Sequence, residues 1–145
     1  MSPFLILKKT INLGMKDSLI RKGFILAGIV NVLGVLIFTK FFTDTAISDA
    51  DPNVMSQFGL YMIMVWGLAF LAMSNYYHKA KWIIAVFCIE KTCYVLSWCL
   101  WMLDNDLAYL YEQNSLAGAF YALYGPNDFI FLIFFSFVFY REYSK

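Results

Sequence analysis

The sequence predicts an all-α integral membrane protein, a four-helix transmembrane bundle with an N-terminal amphipathic helix at the interface. Three observations predict it. Four apolar stretches, 23–42, 56–77, 82–103 and 116–140, fill most of the chain, and each is near the roughly 20 residues a helix needs to cross a bilayer. The composition is 61% hydrophobic and only 14% charged, whereas a soluble domain is about half apolar and a quarter charged. Basic and acidic residues also alternate between the segments that join the stretches. The expected organisation is a cytoplasmic segment, 1–22, followed by one membrane domain, 23–145.

Taken in chain order, Phe4, Leu7, Ile11 and Met15 recur at helical spacing, while Lys8, Lys9, Asn12 and Lys16 fall mainly elsewhere on the wheel. This pattern predicts a short helix over 4–19 lying on the inner leaflet. No basic region precedes the apolar start, so the first span is expected to act as an uncleaved targeting signal. That span carries Ala27, Gly28, Asn31 and Gly34 on one small-residue face, which lets membrane helices approach closely. After an outer loop, Asp51 suits an N-cap and Pro52 the first helical position. The second helix is therefore expected over 52–77, with Gly67 as its small contact. A tight turn at 78–81 forces an antiparallel hairpin with the third span.

On the third span Glu90, Cys93, Tyr94, Ser97 and Trp101 share one arc. The connection 104–115 reads as a helical extension or an interfacial turn. On the fourth span Gly118, Tyr121, Gly125, Asp128 and Ser136 share an arc of similar width. Gly125-Pro126 is expected to interrupt this helix, because proline removes a donor and clashes one turn back, freeing the Ala122 carbonyl.

Charge sets the expected orientation. Lys8, Lys9, Lys16, Arg21 and Lys22 precede the first span, Lys79 and Lys81 join the second and third, and Arg141 and Lys145 follow the fourth. The other two connections carry Asp44, Asp49, Asp51, Asp104, Asp106 and Glu112, with only Lys40 nearby. Positive residues stay on the cytoplasmic side, so both termini and the middle loop are expected there. Tyr76, Tyr77, Trp82, Tyr140 and Tyr143 read as an inner aromatic belt, and Trp101, Tyr109 and Tyr111 as an outer one.

Several function classes are excluded or unmarked. No basic arm or stripe suits nucleic acid. Cys88, Cys93 and Cys99 form no CxxC pair and read as small packing groups. His78 is the single histidine and reads as a loop residue. The chain has no GxSxG, HExxH, Walker or GxGxxG motif, and neither metal nor cofactor is expected. The layout resembles small bacterial four-helix membrane proteins such as the DoxX-like and sterol-isomerase-like families. The resemblance is one of architecture and carries over no residue roles. The expected location is the bacterial plasma (inner) membrane.

The chemistry gathers at mid-membrane. Counted from the cytoplasmic boundary, Asn31 and Glu90 lie roughly 14 Å deep, Lys91 roughly 15 Å and Asp128 roughly 20 Å. These depths are near the middle of a core about 30 Å thick. Ionisable groups there usually face a partner, a cavity or a pathway. One reading is a buried salt bridge, Lys91 with Asp128, and Glu90 accepting from Tyr94 or Asn31. The other is a binding site, since two acids beside one lysine leave an excess acid, expected to be Glu90. The candidate residues are Glu90, Lys91, Asp128, Asn31, Asn127 and Tyr94. The expected function is a small polytopic protein whose acid–base cluster binds a proton, a cation or a small amphipathic molecule, reached from outside along the 90–101 stripe. The alternatives are an accessory subunit of a larger membrane complex, and an enzyme on a lipid-soluble substrate with Glu90 or Asp128 as general acid or base. Expected partners are the bilayer, such a ligand, and a membrane protein or a second copy of this chain.

Overall fold

The computed structural model describes residues 15–145 and, ahead of them, Pro3 and Ile6. The interfacial helix expected over 4–19 therefore falls largely outside the described residues. Among the described residues all regular structure is helical: α1 Asp17–Phe38, α2 Ala46–Ala50, α3 Gln57–Met73, a 3-10 turn Tyr77–Lys79, α4 Lys81–Asp104, α5 Leu107–Gln113 and α6 Ser115–Tyr143. α1, α4 and α6 are long and apolar enough to cross a membrane, and α3 is a shorter apolar helix of 17 residues. This is the architecture of a helical membrane protein. Its outer faces agree: Leu26, Ile29, Leu33 and Ile37 point outward along α1, as do Val86, Ile89, Leu96 and Leu100 along α4. A continuous exposed apolar surface of this kind marks contact with a membrane or a partner.

Helix ends explain where the observed elements depart from expectation. α1 takes in 17–22, because Asp17 opens its first turn and is held by Arg141 Nη2 at 2.6 Å and the Tyr77 hydroxyl at 3.3 Å. α1 stops at Phe38, four residues before the apolar stretch ends. Thr39 closes it, donating to the Val35 carbonyl at 2.7 Å and accepting from the Phe42 N–H at 3.0 Å. Lys40, Phe41 and Phe42 then follow at φ 48°, 55° and 63°. Three successive side-chain-bearing residues in the left-handed region cost about 1–2 kcal/mol each, and they reverse the chain sharply.

α3 does not begin at Pro52. Asp51 does cap, accepting from Val54 N–H at 3.1 Å, but it caps a single turn. The chain then drops Met55 fully into the core, which requires a bend before the helix can start. Ser56 is the helix cap, its hydroxyl accepting from Gly59 N–H at 3.1 Å. The connection after α4 is a separate short helix, α5, capped by Asp106. Asn114 caps α6 and reaches Asp44 at 3.1 Å, tying the two acidic connections together. The Ala46 N–H first, then Lys40 and Asn114, hold the Asp44 carboxyl at about 2.

The helices pack as two hairpins, α1 with α3 and α4 with α6. In the first hairpin the backbones touch. A Cβ on Gly28 would sit 2.6 Å from the Gly67 carbonyl oxygen, and one on Gly67 would sit 2.9 Å from that of Gly28. In the second hairpin the Trp98 indole fills the space a Cβ on Gly125 would need. Joined, the hairpins bury two apolar clusters. The cluster at the end bearing the chain's C-terminus centres on Phe24, Phe70, Phe87 and Phe135. The cluster at the other end centres on Val35, Leu60, Trp101 and Tyr121.

Two presumed belt residues belong to these clusters. Tyr77 is 2% exposed and stacks on Phe24, while Trp101 stacks on Tyr121 at 4.0 Å and donates to the Ala50 carbonyl at 3.1 Å. Each has a hydrogen-bond partner inside the fold, which removes the reason to sit at the headgroups. Trp82, Tyr76, Tyr143, Tyr109 and Tyr111 are exposed. Ser136 and Cys93 are exposed too, so the inward arcs of α6 and α4 are narrower than their sequence periodicity implies.

The glycine contacts give a test. Gly28→Ala forces backbone against backbone and is expected to cost about 1–3 kcal/mol. Gly34→Ala meets nothing within 4 Å and is expected to be neutral or to stabilise slightly through helix propensity. Thermal melting of the two variants in detergent measures the difference. Equal melting would mean the α1–α3 approach is looser than described.

Candidate functional site

Asn31, Glu90, Lys91 and Asp128 form a polar layer between the two apolar clusters, each at most 7% exposed. They lie at mid-helix, apart from the charged residues nearer the helix ends such as Arg21, Lys22, Arg141 and Glu142. Helix phase divides the work. Glu90 and Lys91 are adjacent, so their side chains leave α4 about 100° apart. Lys91 turns toward α6 and α3. Its ammonium meets Asp128 Oδ1 at 2.7 Å and lies 5.1 Å from the centre of the Phe70 ring. Asn127 Nδ2 adds a longer contact to the same Asp128 oxygen, at 3.3 Å. Asp128 is thus the ionic partner of Lys91, as the sequence pairing expects.

Glu90 has a different environment. Oε1 lies 3.6 Å from Lys91 Nζ, a charge contact beyond hydrogen-bonding reach. Neither carboxylate oxygen has a hydrogen-bond partner. The acceptor role expected of Glu90 toward Tyr94 or Asn31 is not what the fold uses. Asn31 instead donates to the Ile63 carbonyl at 3.1 Å, an α1–α3 bond one turn from the glycine contact. A buried carboxylate with neither oxygen hydrogen-bonded is costly.

A cavity of about 350 Å³ adjoins Glu90. All six residues expected from sequence, Asn31, Glu90, Lys91, Tyr94, Asn127 and Asp128, line it. Phe38, Phe120 and Tyr124 also line it. The Tyr124 hydroxyl is buried and, like Glu90, lacks a partner. Sequence reasoning missed Tyr124, although it lies four residues before Asp128 and so one helical turn away on the same face.

Pro126 also corrects the sequence reading. α6 is one helix from Ser115 to Tyr143 with Pro126 inside it, so no broken helix lines the site. The carbonyl that takes an outside donor is that of Tyr121, not Ala122: Trp98 Nε1 donates to it at 2.7 Å. The indole bridges α4 and α6 beside the proline and braces the turn it weakens.

At the far end of the 90–101 stripe Trp101 stacks on Tyr121, and Ser97 and Trp101 line a second hollow with Asp51 and Asp104. The exposed part of the cavity lining lies along the seam between α1 and α6. Phe38 against Phe120 at 5.8 Å closes this seam on one side, and Phe24 against Phe134 and Phe135 closes it on the other. Between these contacts Gly34 faces open space. Leu123 and Ile130, 56% and 64% exposed, stand on the α6 rim. The cavity therefore opens sideways, through the apolar face of the bundle. Among the described residues no three His, Cys, Asp or Glu side chains gather closely enough to hold a metal ion.

Two substitutions separate the roles of the acids. Lys91→Met strands Asp128 and Glu90 without a cation and is expected to cost about 3–5 kcal/mol. Glu90→Gln removes a charge that makes no hydrogen bond and is expected to leave melting unchanged or raise it. Melting curves that rank the variants the other way would reassign the structural pair to Glu90.

No known protein family matches this chain, and neither curated proteins nor solved structures provide a match.

Proposed function

We propose that this protein crosses the membrane four times, with both termini and the α3–α4 turn on the cytoplasmic side, and binds a small amphipathic molecule that enters from the bilayer. Support for the fourth span comes from packing and charge. α3 contributes Leu60 to one apolar cluster and Phe70 to the other, so it runs alongside α1 through the same depth. Its 17 residues reach about 26 Å, close to the thickness of a bilayer core. Lys79 and Lys81 lie at one end of it and the acidic 44–51 segment at the other. The alternation of charge holds only if α3 crosses.

The observation that carries the binding reading is the sideways cavity with an unpartnered carboxylate inside it. About 350 Å³ is within the usual range of small-molecule sites. Most of the lining is apolar, and its polar groups are few: Asn31, Glu90, Lys91, Asn127, Asp128 and the tyrosine hydroxyls. That is the shape of an amphiphile with its head at Glu90 and its tail toward Phe38, Leu123 and the lipid.

Gly34 provides the test. A leucine there meets no neighbour at Cβ and projects into the opening. In lipid nanodiscs, a decyl probe bearing a photoreactive diazirine should label α1 and α6 around the cavity. Gly34→Leu should cut that labelling about tenfold, which is ~1.4 kcal/mol of lost affinity, while melting stays at the wild-type temperature. Unchanged labelling in a folded variant rules out the lateral site. Reporter fusions at residue 145 and within 104–114 should report opposite sides of the membrane, and the same side for both would overturn the four-span topology.

A further inference from the structure

The cavity's own charge indicates which amphiphile it takes. We infer that the ligand is a lipophilic amine in its protonated form, its ammonium held by Glu90 and its chain leaving between α1 and α6. The inference rests on the binding reading above and adds the chemical class of the head group.

The argument starts from charge balance. With both acids ionised, the buried layer holds two carboxylates and one ammonium, a net charge of −1. Lys91 is committed to Asp128 at 2.7 Å, against 3.6 Å to Glu90. The excess negative charge therefore resides on Glu90, whose side chain is 4% exposed. A carboxylate ligand would add charge of the same sign. A neutral alcohol would satisfy one oxygen but leave the charge uncompensated. An ammonium both cancels the charge and brings up to three N–H donors.

Geometry and surroundings agree. Both Glu90 oxygens are free to accept, and the partnerless Tyr124 hydroxyl oxygen is a third acceptor on the same cavity. Tyr94, Phe120 and Tyr124 contribute aromatic rings to the lining of the same cavity, and ring faces attract cations most strongly where water is excluded. The fold already uses such a contact, with Lys91 at 5.1 Å from the Phe70 ring. The wall around Phe38 and Leu123 offers an alkyl chain apolar contact and then an exit into lipid.

The experiment compares decylammonium with 1-decanol at neutral pH in nanodiscs of zwitterionic lipid, each competing with the diazirine probe. Gly34→Leu supplies the baseline for simple partitioning into the bilayer. Above that baseline, decylammonium should compete about tenfold better than decanol on the wild type, and Glu90→Gln should abolish the preference. Equal competition on the wild type overturns the inference, and needs no variant to fold. If both compounds compete equally and Gly34→Leu blocks both, the lateral site stands and its preference for a cation falls. If Gly34→Leu blocks neither, the binding reading itself fails. If Glu90→Gln folds and keeps the preference, the cation is held elsewhere and the assignment to Glu90 is wrong.

Discussion

A buried lysine in a bundle this small constrains everything around it. Lys91 is 1% exposed and its ammonium must find an anion at contact distance, because an unpaired charge in hydrocarbon is intolerable at several kcal/mol. Asp128 supplies it from α6, and this fixes the register of α4 against α6. Trp98 then falls on Gly125 and on the Tyr121 carbonyl, and Phe87 falls against Phe135. The apolar clusters lie on either side of the pair because the pair excludes apolar side chains from its own level. The cavity is the remainder of that level, where α1 offers the amide of Asn31 and the bare backbone of Gly34 among apolar side chains.

Much of this was legible in the residues because hydrocarbon makes simple demands. Apolar length marks the helices, and lone charges within them mark the centre. Asn31, Glu90, Lys91, Tyr94, Asn127 and Asp128 come from three different helices, yet they line one cavity. Depth counting alone brings them together, since a helix rises by the same step wherever it stands. The Lys91–Asp128 pair followed from the same count and from charge.

What stayed hidden depended on lateral packing, which no single helix encodes. Tyr77 and Trp101 look like belt residues by position, and only their partners, Asp17 and Ala50, reveal them as core. Asp51-Pro52 carries a sound helix-start signal, but burying Met55 displaced the start to Gln57. Pro126 reads as a break, and the neighbouring indole that steadies the helix comes from α4. The sideways opening is set by how α1 meets α6. Those two helices come from different hairpins, so their spacing is not recorded in any local pattern.

The division into hairpins bears on how such a chain enters a membrane. Both members of the Lys91–Asp128 pair belong to the second hairpin, and Glu90 lies beside them on α4. The first hairpin has no charge at the level of that pair, and it closes through the Gly28–Gly67 backbone approach and the Asn31 bond to the Ile63 carbonyl. In the four-span arrangement proposed above, each hairpin would be complete for insertion: one has no mid-helix charge to neutralise, and the other brings its cation and anion across together. The second can enter the bilayer without waiting for the first to supply a counter-charge. Glu90 keeps only its longer 3.6 Å charge contact with Lys91, and its oxygens take up no hydrogen bond from either hairpin.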